Sequence, residues 1–129
     1  MRIFLLTVLL SLSFNTSAND FEQNATLWLK SLDGKEYATS WETSDPYFKS
    51  QVARAEWEKA AKNAREPLGK LKNREINKSE FYQALPGVPD GNYVVISYTS
   101  SFEKKQKAVE TLTLSKSTNE WKVVGYFIK

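Results

Sequence analysis

The sequence contains no cysteine and no histidine. Lacking cysteine, it has no disulfide, no thiol nucleophile and no thiol for lipid attachment. The missing histidine removes Cys/His zinc sites and every dyad or triad that uses imidazole as its base. An excess of one charge is lacking too. The 18 Lys and Arg against 15 Asp and Glu leave a net charge of +3, and the basic residues are spread along the chain, so there is no nucleic-acid footprint. The glycine-containing turns have neither Walker nor dinucleotide spacing, and no cofactor is implied. Any chemistry must therefore come from carboxylates, Lys, Arg, Tyr, Ser and backbone groups.

The chain has one long apolar run. Arg2 supplies a positive start, Ile3 to Phe14 is apolar except for Thr7, Ser11 and Ser13, and Asn15-Thr16-Ser17-Ala18 is small and polar. This is the three-part pattern of a secretory signal peptide. The run falls short of the ~20 residues a spanning helix needs, so a cleaved signal is expected over 1–18 in preference to an anchor kept uncleaved. The product is then periplasmic or secreted, soluble and not lipid-anchored. Residues 19–129 are short enough to form a single domain.

That domain reads as helices first and strands second. Phe21, Ala25, Trp28, Leu29 and Leu32 share one helical face, with Asn19 or Asp20 as cap and Asp33-Gly34 as the end. A short helix carrying Tyr37, Ala38 and Trp41 should follow. Asp45 as N-cap with Pro46 at the first helical position starts a third helix. Its stripe is Ala53, Trp57, Ala60, Ala61 and Ala64, small enough to approach a sheet, and Pro67 and Gly69 end it. Residues 70–84 include a polar strand, and Asp90-Gly91 reads as a hairpin pair tolerant of positive φ. Val94, Ile96, Tyr98 and Phe102 line one side of the next strand, and a further strand runs from Ala108 to Lys116. The last, Trp121 to Ile128, is apolar on both faces, with Trp121, Val123 and Phe127 on one and Val124, Tyr126 and Ile128 on the other. That suits a central strand or a sheet face covered by a partner. The expected class is α+β, with N-terminal helices packed on a three- or four-stranded curved antiparallel sheet.

Several ordered motifs carry a family resemblance. They are Trp28-Leu29, Leu32-Asp33-Gly34, Tyr37-Ala38 and Ser40-Trp41, then Arg65-Glu66-Pro67-Leu68-Gly69 and the stretch from Leu85 to Tyr93. Ala108-Val109-Glu110-Thr111 and the stretch from Trp121 to Ile128 complete the set. The chain resembles the bacterial exported family called domain of unknown function 4019 over nearly all of 19–129. The resemblance implies a layout similar to the cystatin-like and NTF2-like cone folds, and it brings no activity, cofactor or catalytic residue with it. Such folds host enzymes, binding modules and dimerisation domains alike.

Among individual residues, Glu110 stands first. Alternation puts it on one strand face with Leu112 and Leu114, where burial would raise its pKa as a general base requires. Its plainer role is a strand-end carboxylate, exposed or paired with Arg65 or Arg74. Trp28 and Trp57 sit on helical stripes and read as core, while Trp41 and Tyr126 are freer to line a pocket for a sugar or an apolar ligand. The candidate ligand set is thus Trp41, Tyr98, Glu110 and Tyr126. Lys104, Lys105 and Lys107 form a basic hairpin tip, solvated or touching anionic envelope polymers. Asn24-Ala25-Thr26 and Asn77-Lys78-Ser79 match the glycosylation acceptor pattern, by chance if the source is bacterial. The leading function is a non-enzymatic module binding a small ligand or an envelope protein, with homodimerisation by sheet packing as a further use of the surface. A hydrolase or isomerase using Glu110 with Tyr98 or Tyr126 is the alternative, and a purely structural domain the second alternative.

Overall fold

A computed structural model describes residues 20–129; the expected signal peptide and Asn19 lie outside them. Helix α1 spans Asp20–Asp33 and buries the five predicted residues, Phe21, Ala25, Trp28, Leu29 and Leu32. It ends in a Schellman arrangement, with Glu36 N–H bonded to Ser31 O at 2.9 Å and Lys35 N–H to Leu32 O at 3.2 Å. The left-handed position is Lys35, at φ 61°, and not the neighbouring Gly34.

Helix α2 spans Tyr37–Glu42. Asp45 caps α3, Pro46–Gln51, by accepting from Tyr47 N–H at 2.8 Å. The expected third helix is in fact two. Val52 turns extended, at φ −126° and ψ 117°, and α4 begins afresh at Arg54–Arg65. The break frees the Val52 carbonyl to accept the Trp41 indole N–H at 2.8 Å, which substitutes for the helical bond that is lost. Re-phasing leaves Trp57, Ala61 and Arg65 buried, while Ala53, Ala60 and Ala64 are exposed. Consequently α4 packs on α2 more than on the sheet, and of the stripe alanines only Ala61 is in the core, the three exposed ones serving no close approach. A 3-10 turn, Glu66–Leu68, leads to the strands.

Four strands follow: β1 Leu71–Tyr82, β2 Tyr93–Phe102, β3 Lys105–Ser115 and β4 Lys122–Ile128. They form an antiparallel meander in the order β1-β2-β3-β4, which places the fold in the expected α+β class. In the β1–β2 connection the positive φ belongs to Gly87, at 82°, and not to Asp90-Gly91. β4 is an edge strand, not a central one. Its alternation is broken by a bulge, because Thr113 pairs with Gly125 and Leu114 with Val123, leaving Val124 unpaired. Val123 and Tyr126 therefore share the inner face, while Phe127 is 74% exposed on the outer one. The core lies between α1 and the inner face of β2 to β4, built from Leu29, Leu32, Ile96, Leu112, Leu114 and their neighbours. The Lys104 tip is pinned to the start of β1 by Lys104 N–H to Leu68 O at 2.8 Å and Glu103 N–H to Lys70 O at 2.9 Å.

Candidate functional site

A carboxylate on the inner face of a sheet must be neutralised and hydrogen-bonded, or the cost of its burial is prohibitive. Glu110 is fully buried, and every strand contributes to satisfying it. From β1, Arg74 donates through Nε to Oε1 at 2.7 Å and through Nη2 to Oε2 at 3.1 Å. From β2, Ser100 Oγ donates to Oε1 at 2.5 Å, and from β4 the Tyr126 hydroxyl donates to Oε2 at 2.5 Å. Four donors match the roughly four lone-pair positions of a carboxylate, so no position is left for a substrate.

Arg74 also reaches the end of α1, donating to Asp33 through Nη1 at 2.8 Å and Nη2 at 2.9 Å. Arg65, at the C-terminal end of α4, donates to Asp33 at 2.7 Å and stacks 4.6 Å over the Phe102 ring. Two guanidinium and two carboxylate groups thus balance in one cluster that ties α1 and α4 to the sheet. Burial pushes the Asp33 carboxyl up, but the hydrogen bonds and charges of Arg74 and Arg65 outweigh it and hold the group below the ordinary value. Burial, reinforced by the Glu110 charge and hydrogen bond, pushes the Tyr126 phenol up despite Arg65 and Arg74.

The sequence-predicted residues divide between this cluster and its surroundings. Glu110 and Tyr126 are in direct contact. Tyr98 lies opposite Glu110 in the β2–β3 register, but its buried hydroxyl has no hydrogen-bond partner among the described residues. Burial pushes its pKa up to about 12, with Arg74 opposing and Glu110 and Glu22 adding to the shift. Trp41 stands apart on α2, its N–H spent on Val52. Asp33 and Ser100 were not anticipated. A signal for Asp33 existed, since a carboxylate in the last turn of a helix opposes the helix dipole and calls for a cation. Ser100 carried no such mark.

A different feature is open to solvent. The indole N–H of Trp28 donates to Ser40 O at 2.8 Å, that of Trp57 to Ser40 Oγ at 2.8 Å, and that of Trp41 to Val52 O. Trp121 is the one tryptophan whose N–H has no intramolecular partner among the described residues. Its carbonyl accepts from the Asn24 side chain at 2.9 Å, which fixes the backbone to α1. Its ring is braced by Phe21 at 6.2 Å and Phe81 at 6.3 Å, and Lys116 Nζ lies 5.6 Å from its centroid. Trp121 lines two clefts. One, of about 550 Å³, lies against α1 and α2 and includes Asn24, Leu27, Lys30 and Glu42. The other, of about 500 Å³, includes Phe81, Gln83, Asn92 and Lys116. Both fall within the usual size of ligand sites, ~300–1,000 Å³. Trp41, Tyr98, Glu110 and Tyr126 line neither.

Residues 24–126 match the family described as "Protein of unknown function (DUF4019)", and the chain belongs to that family. Among curated proteins none matches the chain.

Proposed function

We propose that this member of the family is an exported, non-enzymatic binding module whose ligand site is the pair of clefts sharing Trp121. The observation that carries the reading is the exception among the tryptophans: three satisfy their N–H groups internally, whereas the N–H of Trp121, which lines both clefts, has no partner among the described residues. A buried N–H is normally paired, and a half-buried one held rigid by two aromatic rings is prepared for an external acceptor. Rigid aromatic walls also lower the entropic cost of binding. Export rests on the three-part N-terminal pattern, and no helix among the described residues is long and apolar enough to cross a membrane.

The competing reading, a hydrolase or isomerase using Glu110 and a tyrosine, draws on the Glu110–Tyr126 hydrogen bond. A general base must reach a substrate proton, and the donors already on Glu110 take that capacity; the pair is better understood as a structural tie. A dimer through the uncovered sheet face has its own support in Phe127 and Val109, 74% and 42% exposed.

The test is native mass spectrometry on the mature protein and its Trp121→Ala variant, both isolated from the host's envelope fraction. Excess mass on the wild type that disappears from the variant is expected. Bare monomers in both cases overturn the cleft reading, and a clean mass at twice the monomer moves the function to the sheet face.

A further inference from the structure

Resting on that reading, we infer that the clefts take an anionic saccharide chain, with its pyranose faces against the Trp121 and Phe81 rings and its carboxylate on Lys116. The Phe81-side cleft combines three kinds of group. Phe81 is 62% exposed, so with Trp121 it offers aromatic surface to the apolar C–H faces of a sugar. Gln83 and Asn92 offer side-chain amides, each able to donate and accept at once, as vicinal hydroxyls require. Neither amide, nor Lys116 Nζ, has a side-chain hydrogen bond within the protein among the described residues.

Charge sharpens the choice. Lys116 is the one charged side chain lining the Phe81-side cleft, whereas the cleft against α1 carries Glu36, Glu42 and Glu120 beside Lys30 and Lys122. The anionic group of the ligand therefore belongs on the Lys116 side and the neutral part of the chain on the other. An apolar ligand would leave two amides, an ammonium and an indole N–H without partners, at a desolvation cost that opposes binding. The shared residue argues for length. With about 550 Å³ in one cleft, about 500 Å³ in the other and Trp121 lining both, a linear chain passing Trp121 fills both, and a single sugar fills one. The polar segments are also held in place beforehand, by Gly91 N–H to Gln83 O at 2.9 Å and Lys116 N–H to Asn92 O at 3.0 Å, which limits the ordering cost.

The experiment is titration of the ¹⁵N-labelled mature protein with two probes: a tetrasaccharide of alternating N-acetylglucosamine and N-acetylmuramic acid, and neutral chitotetraose. The Trp121 indole cross-peak is identified by its loss in Trp121→Phe. The acidic tetrasaccharide should shift that peak and bind more tightly than chitotetraose. Lys116→Ala should weaken the acidic probe about tenfold or more, and by a larger factor than it weakens chitotetraose, with the amide spectrum away from the clefts as the check that the fold is unchanged. Equal affinities that ignore Lys116→Ala overturn the anionic assignment. No shift with either probe at millimolar concentration overturns the saccharide assignment altogether. A Trp121-dependent mass in the envelope isolate would in that case still uphold the clefts as a site for another ligand class.

Discussion

Replacing Arg74 with methionine removes four hydrogen bonds at once, two to Glu110 and two to Asp33. It leaves two carboxylates facing the single guanidinium of Arg65, which lies 3.9 Å from Glu110 and makes no hydrogen bond to it. Breaking a buried pair from one side costs ~3–5 kcal/mol, because the abandoned charge stays buried. Against a total stability of ~5–15 kcal/mol for a domain, the variant should be severely weakened but measurable. Glu110→Leu strands the opposite charge and should cost a similar amount. The double variant is the informative one. It leaves Asp33 and Arg65 as a neutral pair at 2.7 Å and orphans the Ser100 and Tyr126 hydroxyls at ~1 kcal/mol each. The Asp33 oxygen that Arg74 alone had bonded passes to water, since that side chain is 21% exposed. The double variant should therefore be more stable than either single variant, with a coupling of ~4 kcal/mol or more, the single costs summing to ~6–10 and the double to ~2. Urea unfolding followed by tryptophan fluorescence gives all four values. An Arg74→Met cost below ~1 kcal/mol, the size of a surface ion pair, would refute the reasoning, as would additive single effects.

Two further outcomes follow from backbone and burial. Lys35 holds a left-handed conformation at φ 61°, which costs a residue with a Cβ ~1 kcal/mol; Lys35→Gly should raise the melting temperature by ~4 °C or more. Thermal unfolding that is unchanged or lower in this variant would show that the Schellman turn carries no strain. The Tyr98 phenol titrates at about 12 in the fold against about 10 when unfolded. Its contribution is complete below pH 10 and is lost as pH rises towards 12, at up to ~1.4 kcal/mol per pH unit. Tyr98→Phe removes this loss and the unpartnered hydroxyl together. Urea midpoints should be higher than wild type at pH 7 and fall less steeply above pH 10; a steeper alkaline decline would contradict the burial of the phenol.

Much of the fold was legible because it rests on local periodicity. The α1 stripe, the Asp45-Pro46 helix start and the alternation of Val94, Ile96, Tyr98 and Phe102 are properties of consecutive residues. What failed was set at a distance. The break at Val52 has no glycine or proline to announce it; it is stabilised by an indole eleven residues away. The bulge at Val124 reverses the faces of β4, and it depends on the register against β3. Glu110 was recognised as unusual, and Arg74 as one of two partners for it, because a charge amid alternating leucines is visible locally.

From sequence alone came the α+β class, the helices-then-strands order, the missing thiol and imidazole chemistry, and the three-part N-terminal pattern on which the proposal of export rests. These depend on composition and on spacings of two to four residues. Only the tertiary structure decided that Glu110 is closed by donors from three other strands, that Asp33 completes its charge balance, and that Trp121, the tryptophan whose N–H has no partner among the described residues, lines two clefts. Burial and pairing are properties of neighbours in space. Side chains such as Asn24 and Trp121, 97 positions apart, become neighbours only once the helices close over the sheet.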